Sequence, residues 1–163
     1  MNAKADNFAI QIRFATKDDA PAIASVLHDS FIEYESLYTP EAFAATTPTS
    51  DQVRNRLGEG PAWVVTSNGA IVGTVSVVDR GAELYIRGMA VLPSARGLGI
   101  GELLLRVIET FASRHGKNRL VLSTTPFLAR AIRLYENAGF RASGEGPDDL
   151  LGTPLITMIR ILE

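Results

Sequence analysis

Residues 96–101 place one arginine and three glycines directly before a helical pattern. The segment reads Arg96-Gly97-Leu98-Gly99-Ile100-Gly101. A glycine costs a helix about 1 kcal/mol relative to alanine, so this spacing needs a reason. The first amide groups of a helix lack partners within it and, together with the helix dipole, attract anions. The segment therefore predicts a phosphate-binding loop to which Arg96 adds a charged fork. The alternative is a turn that merely joins a strand to a helix.

Two common phosphate-binding loops do not match this segment. A Walker loop requires Gly-Lys followed by Ser or Thr, and the sequence contains no such triplet. A dinucleotide loop requires G-x-G-x-x-G, but position 102 is Glu and the third glycine comes one residue early. The pattern Q/R-x-x-G-x-G/A is matched at every position from Arg96 to Gly101.

A second block, AIRLYENAGF at residues 131–140, lies downstream of the loop. With the strand ending Val91-Leu92-Pro93, the two blocks resemble the GNAT superfamily of acyl-CoA-dependent N-acetyltransferases. The resemblance extends from about residue 83 to residue 140. It implies an α/β (α+β) fold, with a mixed, mostly antiparallel central sheet flanked by helices. The coenzyme A cleft would lie where the strand, the glycine loop and the helix meet.

The resemblance also implies which residues bind the co-substrate, acetyl-CoA. The loop amides would hold the pyrophosphate, and backbone groups of the preceding strand would hold the pantetheine arm and the thioester carbonyl. Such an amide stabilises the charge that develops on the carbonyl oxygen. Gly88 marks an expected bulge that frees a backbone group for this task. The expected cofactor-binding residues are Met89, Ala90, Val91, Arg96, Gly97, Leu98, Gly99, Ile100 and Gly101, with no metal.

Two residues are candidates for catalysis. Tyr135 matches the family tyrosine that faces the coenzyme A sulfur, where a phenol can protonate the departing thiolate; the alternative is a core aromatic on an apolar helix face. Some members carry a glutamate base on the strand after the long helix, but Ser123 stands there. Glu83 is the remaining candidate base, against the alternatives of a solvated strand end or bulk water. Leu128 replaces an asparagine that many members use to contact pantetheine.

The acceptor site is expected in the acidic and aromatic segment at residues 31–43. Glu33, Tyr34 and Tyr38 would suit a cationic amine through carboxylate pairing and cation–π contact. The alternative is a helix end with a solvated acidic face. The resemblance predicts transfer of an acetyl group from acetyl-CoA to a primary amine of a small molecule or peptide, by direct attack in a ternary complex. A second hypothesis is a regulatory module that binds acyl-CoA with little transfer.

Composition narrows the class of protein. The 163 residues fit one domain, expected at residues 8–163 after a loose tail at residues 1–7. A net charge of −2 argues against nucleic-acid or membrane partners. The absence of cysteine excludes a disulfide, a thiolate metal site and a cysteine nucleophile.

No apolar run suits a membrane span or a secretion signal, so we expect a cytoplasmic protein. The family suggests a homodimer, with the late strands at residues 155–162 as one candidate interface, because their apolar run would be a liability as a bare edge.

Apolar periodicity and turn signals predict the elements that position these residues. The predicted order is β-α-α-β-β-β-α-β-α-β-β, with the helix at 100–114 the most regular. Thr16 and Ser50 are expected to cap the first two helices. Strands are predicted at 8–15, 62–66, 70–79, 83–92, 119–124, 140–144 and 155–162, and the last helix from Pro126 to Gly139.

Overall fold

The computed structural model describes residues 9–163, and the predicted tail at residues 1–7 lies outside that range. Seven strands form one sheet in the order β1-β2-β3-β4-β5-β9-β6, and β7 and β8 form a separate small hairpin. The strands are β1 (Ile10–Phe14), β2 (Ala62–Ser67), β3 (Ala70–Arg80), β4 (Glu83–Val91), β5 (Arg119–Thr124), β6 (Arg141–Ser143), β7 (Asp149–Leu150), β8 (Thr153–Pro154) and β9 (Ile156–Ile161). Among the strand pairs within residues 9–163, only β4–β5 is parallel, so the mixed, mostly antiparallel sheet is confirmed.

Five α-helices flank the sheet in the described part of the chain. They are α1 (Ala20–Phe31), α2 (Pro40–Thr46), α3 (Ser50–Arg56), α4 (Ile100–Arg114) and α5 (Ala129–Asn137). Short 3-10 turns precede and follow α1, at Lys17–Asp19 and Ile32–Leu37. Within residues 9–163 no helix combines the length and the apolar character that a membrane crossing requires.

The sheet is buried on both faces. Val64 and Val65 are neighbours on β2, and both are fully buried although successive strand residues point to opposite faces. Val65 belongs to the larger core, in which Leu104 and Ile108 of α4 pack on the sheet. Val64 belongs to a second core, formed with α1 and α3. The two layers hold the ends of α1, α4 and α5 near the end of β4.

The strands β4 and β5 separate part-way along their length. Their last paired residues are Ile86 and Leu122, yet β4 continues to Val91 and β5 to Thr124. A parallel pair that stops early leaves unpaired backbone on both strands. The split therefore opens the sheet next to the glycine loop, where the sequence predicts the cofactor cleft.

Several predicted boundaries were wrong. The cap of α3 is Thr49, whose hydroxyl accepts from the Gln52 amide while the Gln52 side chain accepts from the Thr49 amide. Thr16 precedes a 3-10 turn, and α1 begins only at Ala20. The first predicted strand is shorter than expected, and the last predicted helix begins at Ala129.

The segment after α1 has more structure than the sequence suggested, since it contains α2. Thr39 caps that helix by accepting from the Ala42 amide, and Pro40 occupies its first turn. A second difference concerns β9, which lies between β5 and β6. Residues 157–159 pair on both sides, so along that stretch β9 has no open edge for the dimer interface suggested at residues 155–162.

Candidate active site

One cavity of about 430 Å³ lies along the end of β4, beyond the last β4 residue that pairs with β5. It is bounded by the end of α1, the end of β4, the glycine loop with the start of α4, and one face of α5. Ten residues singled out from the sequence line it: Tyr34, Met89, Ala90, Val91, Arg96, Gly97, Gly99, Ile100, Gly101 and Tyr135. The fold thus brings together residues that are up to about 100 positions apart in the chain.

The glycines of the loop have different structural roles. Gly97 and Gly99 have φ of 82° and 78°, in the left-handed region that favours glycine, and a Cβ on either would meet nothing within 4 Å. Gly101 has an ordinary helical backbone, but a Cβ there would lie 2.7 Å from a methyl carbon of Leu134. The first two glycines therefore leave open space over the loop, while Gly101 allows α4 and α5 to approach closely.

The loop presents unpaired amide groups to this space. The first backbone bond into α4 runs from the Leu103 amide to the Gly99 carbonyl, and no amide of residues 97–102 donates within the described part of the chain. Such groups at a helix N-terminus form an anion site. Three arginines, Arg96, Arg130 and Arg133, line the same cavity, against one carboxylate, Glu102. The site is therefore electropositive and suits a phosphate-bearing ligand.

Arg96 connects the loop to the end of α1. Its guanidinium lies 2.7 Å from the carboxylate of Glu33 and donates a 3.3 Å hydrogen bond to the carbonyl of Ser30. Glu33, which the sequence assigned to the acceptor site, is thus engaged by the cofactor loop. An anion that binds the Arg96 guanidinium must compete with the carboxylate of Glu33.

A bulge interrupts β4 beside the cavity. Thr74 pairs with Ala90 and Ser76 pairs with Arg87, so two residues of β4 stand opposite one residue of β3. Gly88, the first of the two, has a φ of 63°. The bulge predicted from Gly88 is confirmed, and it takes backbone groups next to Met89 out of the ladder.

Tyr135 lies on α5 with its side chain 8% exposed, facing the cavity and packed edge-on to Phe140. Burial raises the pKa of Tyr135 to about 12, with a further contribution from the nearby Tyr38. A phenol with this pKa stays protonated over the whole physiological range. Its O–H group can therefore donate a hydrogen bond into the cavity throughout that range.

The side chains of two predicted site residues lie outside the cavity. Glu83 is at the start of β4, at the opposite end of the strand from Val91, and its carboxylate is paired with Arg119 at 2.7 Å. This position supports the alternative of a strand-end ion pair and gives no support to a role as base. The side chain of Leu98 is 58% exposed and is not part of the cavity lining, while its backbone amide belongs to the unpaired loop described above.

The aromatic segment is only partly in the site. Tyr34 lines the cavity, whereas Tyr38 is buried against Phe127 with ring centroids 5.0 Å apart. Burial raises the pKa of Tyr38, and the neighbouring hydroxyls of Thr125 and Thr46 partly offset that rise. The three residues predicted to bind a cation are therefore separated. Tyr34 lines the cavity, Glu33 is paired with Arg96, and Tyr38 lies in a small aromatic core.

Sequence reasoning missed the wall formed by α1 and part of α5. Ser30, in the last turn of α1, lies at the cavity and Ala131 faces it from α5, whereas Leu128, already singled out from the sequence, lines it just before α5. The spacing of Arg130 and Arg133 on the predicted helix was a usable signal, because residues three apart share a helix face. Nothing local in the sequence pointed to Ser30, which reaches the site only through the packing of α1.

Comparison with known proteins gives consistent matches. The sequence model of the acetyltransferase (GNAT) family matches residues 23–140. The uncharacterized N-acetyltransferase YjgM of Escherichia coli K12 is 35% identical over 136 residues, which cover 79% of this chain and 80% of that protein. The N-acetylaspartate synthetase of Danio rerio is 36% identical over 53% of this chain but only 31% of its own length. The YncA structure from Salmonella typhimurium, solved with acetyl-CoA, superposes with a TM-score of 0.73 at 26% identity over 95% of each chain.

Proposed function

We propose, since this chain belongs to the acetyltransferase (GNAT) family, that it transfers an acetyl group from acetyl-CoA to a primary amine by direct attack within a ternary complex. One observation carries the proposal. A single cavity joins an uncovered, electropositive glycine loop to a buried, protonated phenol, with the bulged end of β4 between them. These parts are what a phosphate-bearing thioester needs at its two ends.

The loop and the three arginines would hold the phosphates of acetyl-CoA. Residues 97–102 offer unpaired amides, and Arg96, Arg130 and Arg133 supply charge. Gly97 and Gly99 leave room above the amides for an anion to approach the backbone. Binding at this end fixes the direction of the pantetheine arm, which would run along the end of β4 at Met89, Ala90 and Val91.

The reaction needs three changes at the other end. The amine nitrogen attacks the thioester carbonyl and forms the C–N bond, and a backbone amide of the β4 end stabilises the oxyanion. The C–S bond then breaks, and Tyr135 donates its phenolic proton to the departing thiolate. The amine gives up its proton to water, and solvent restores the proton on Tyr135. The sequence has no cysteine, so no cysteine thioester intervenes between donor and acceptor.

The acceptor is proposed to be a small amine of the amino-acid type. The similarity to an N-acetylaspartate synthetase supports this class, since that name describes an N-acetylated amino acid as product. The acidic and aromatic lining expected for a cationic amine has less support, because Glu33 pairs with Arg96 and Tyr38 is buried. Peptide amines remain in the test panel as competing acceptors.

Turnover with an acceptor panel tests the proposal. Purified protein is incubated with acetyl-CoA and each of a set of amino acids, polyamines and short peptides, and both the free thiol and the acetylated amine are quantified. We expect equal amounts of the two products with at least one acceptor. Tight acetyl-CoA binding without acetylation of any amine would instead favour a regulatory acyl-CoA-binding module.

A further inference from the structure

Three buried polar side-chain atoms lack a hydrogen bond of normal geometry among residues 9–163. They are the Oγ of Ser30, the Nε of Arg87 and the Oγ1 of Thr125. Buried polar groups are nearly always paired, so each such atom is a candidate ligand contact. An unpaired buried donor is costly to leave without an acceptor.

One of these atoms lies at the start of the split in the sheet, one at the cavity and one just past the end of β5. Arg87 directly follows Ile86, the last residue of β4 that pairs with β5. Thr125 directly follows the end of β5, and Ser30 lines the cavity. Ser30 is therefore at the cavity itself and Arg87 at the start of the split, whereas Thr125 lies beside Tyr38, outside the cavity lining.

Arg87 is the charged member of the group, and its surroundings are electropositive. Its terminal nitrogen lies 2.7 Å from the carboxylate of Glu59, whose side chain is 51% exposed. Arg56 is close enough that Arg87 contributes to lowering the pKa of Arg56, after the larger effect of burial. Two guanidiniums thus share one half-exposed carboxylate, which leaves a net positive charge in this region.

The position of Arg87 relative to the cavity limits what it can bind. It precedes the bulge at Gly88 by one residue, and two strand residues span about 7 Å from Arg87 to Met89. Arg56 comes from the end of α3 and donates to the Ala45 carbonyl of α2, so the pair lies on the side of the sheet covered by the early helices. A ligand bound there lies within the length of one small molecule from the end of β4.

We propose, on the premise of the proposed function, that Arg87 binds a carboxylate of the acceptor, which is therefore an amine that also carries a carboxylate group. The guanidinium edge formed by the unpaired Nε and a terminal nitrogen matches a planar carboxylate in two parallel hydrogen bonds. Glu59 gives way to the ligand, and Arg56 adds to the attraction.

Matched acceptor pairs test this in the intact protein. An amino acid and its primary amide are compared as kcat/KM per concentration of free amine, with acetyl-CoA saturating. Loss of a charge-assisted pair of hydrogen bonds predicts about a 10- to 100-fold preference for the amino acid. This comparison uses the unmodified chain, so it does not depend on the folding of any variant.

Substitution of Arg87 then tests whether this side chain causes the preference for the amino acid over its amide. In Arg87→Gln the ratio of kcat/KM for the amino acid to kcat/KM for the amide should fall to near one. The value of kcat/KM for the amide and the dissociation constant for acetyl-CoA should stay unchanged. Arg87→Lys, which keeps the charge but loses the fork, should lie between. Arg54→Gln is the matched control, because Arg54 is a partly exposed arginine of α3 whose one ion pair among residues 9–163 is with Asp51.

The outcomes separate this inference from the proposed function. Acetylation of amines with no preference for a carboxylate would overturn the inference and leave the proposed function standing. An equal loss with both acceptors in Arg87→Gln would also overturn it, since that pattern indicates a structural role. Acetylation of no acceptor at all would overturn both.

Discussion

The guanidinium of Arg96 and the carboxylate of Glu33 lie 2.7 Å apart, which ties the glycine loop to the 3-10 turn after α1. The same arginine also donates to the carbonyl of Ser30 at the end of α1. One side chain thereby links the segment expected to bind phosphate with the segment that forms the opposite wall of the cavity. Binding of the co-substrate and the position of that wall should depend on each other.

Substitution of Arg96 and substitution of Glu33 should change the affinity for coenzyme A in opposite directions. Arg96→Ala should weaken binding by about 1–3 kcal/mol, the value of a charge-assisted contact. Glu33→Gln should tighten it by up to about fivefold, because a half-exposed ion pair of 1 kcal/mol or less no longer competes for the arginine. Calorimetric titration with coenzyme A measures both.

Glu35→Gln is the control for this pair, since Glu35 lies on the same turn and no ion pair is found for it among the described residues. Unchanged affinity in a folded Arg96→Ala protein would contradict a role for this guanidinium in phosphate binding. Weaker binding in Glu33→Gln would show that the ion pair organises the loop instead of competing with the ligand.

Gly99→Asp should abolish coenzyme A binding. The added carboxylate would occupy the open space above the loop amides and repel the phosphate. Gly116→Asp is a matched control, because Gly116 also has a positive φ, of 68°, with nothing near its missing Cβ, at the far end of α4. Both variants should lose similar stability on thermal unfolding, but only Gly99→Asp should lose binding in a fluorescence or calorimetric titration.

The loop could be predicted from the sequence because its signal is local. The spacing of Gly97, Gly99 and Gly101 and the apolar stripe of α4 lie within one continuous segment, and the bulge was visible from Gly88 alone. Tyr135 was found through the second block, and the structure places it in the same cavity. Short-range patterns of this kind depend little on how the rest of the chain packs.

The rest of the site depends on contacts that the sequence does not show. Glu83 looked available as a base, but the parallel register of β4 and β5 places it opposite Arg119. The sequence suggested that Glu33 contacts the acceptor, yet it forms an ion pair with Arg96, 63 positions later in the chain. Long-range ion pairs of this kind have no local signature, and the same is true of the orphaned nitrogen of Arg87.

Tyr135→Phe should lower kcat with little change in KM for acetyl-CoA. The substitution keeps the ring and its packing and removes only the proton donor, so the loss appears in the transition state. General-acid assistance is worth about 10²–10⁴-fold, and a thiolate is already a fair leaving group, so the low end of that range or below is expected. Steady-state kinetics with the true acceptor, under conditions where chemistry limits the rate, measures this.

The matched control is Tyr85→Phe, a tyrosine on β4 that packs under Arg80 outside the cavity. Because the pKa of Tyr135 is about 12, its active, protonated form persists until the pH approaches that value. Any fall in kcat with rising pH below about pH 10 should therefore be the same in the unmodified protein and in Tyr135→Phe. Unchanged kcat in a folded Tyr135→Phe protein would exclude the acid role.

Asp19 should stabilise the fold without affecting catalysis. It accepts two hydrogen bonds from Arg13, at 2.8 and 2.9 Å, and one from the Thr16 amide, which joins β1 to the entry of α1. These contacts, chiefly that with Arg13, lower the pKa of Asp19 to about 2. Asp19→Asn should reduce the free energy of unfolding by about 1–2 kcal/mol at pH 7.

The pH dependence of this effect has a fixed sign. A carboxylate with a lowered pKa in the folded state contributes its full stability above the unfolded value near 4 and loses it as the pH falls towards 2. The difference between the unmodified protein and Asp19→Asn should therefore vanish over that interval in urea unfolding. Asp51→Asn, at an exposed site, should change stability little at any pH.

Initial-rate kinetics combined with intact-protein mass spectrometry tests direct transfer within the cleft. Rates are measured with the concentrations of acetyl-CoA and of the acceptor both varied, and the protein is weighed after exposure to acetyl-CoA alone. Attack within a ternary complex predicts reciprocal plots that intersect and a protein whose mass is unchanged. Parallel plots, together with a protein heavier by one acetyl group that passes this group to the acceptor, would contradict the account.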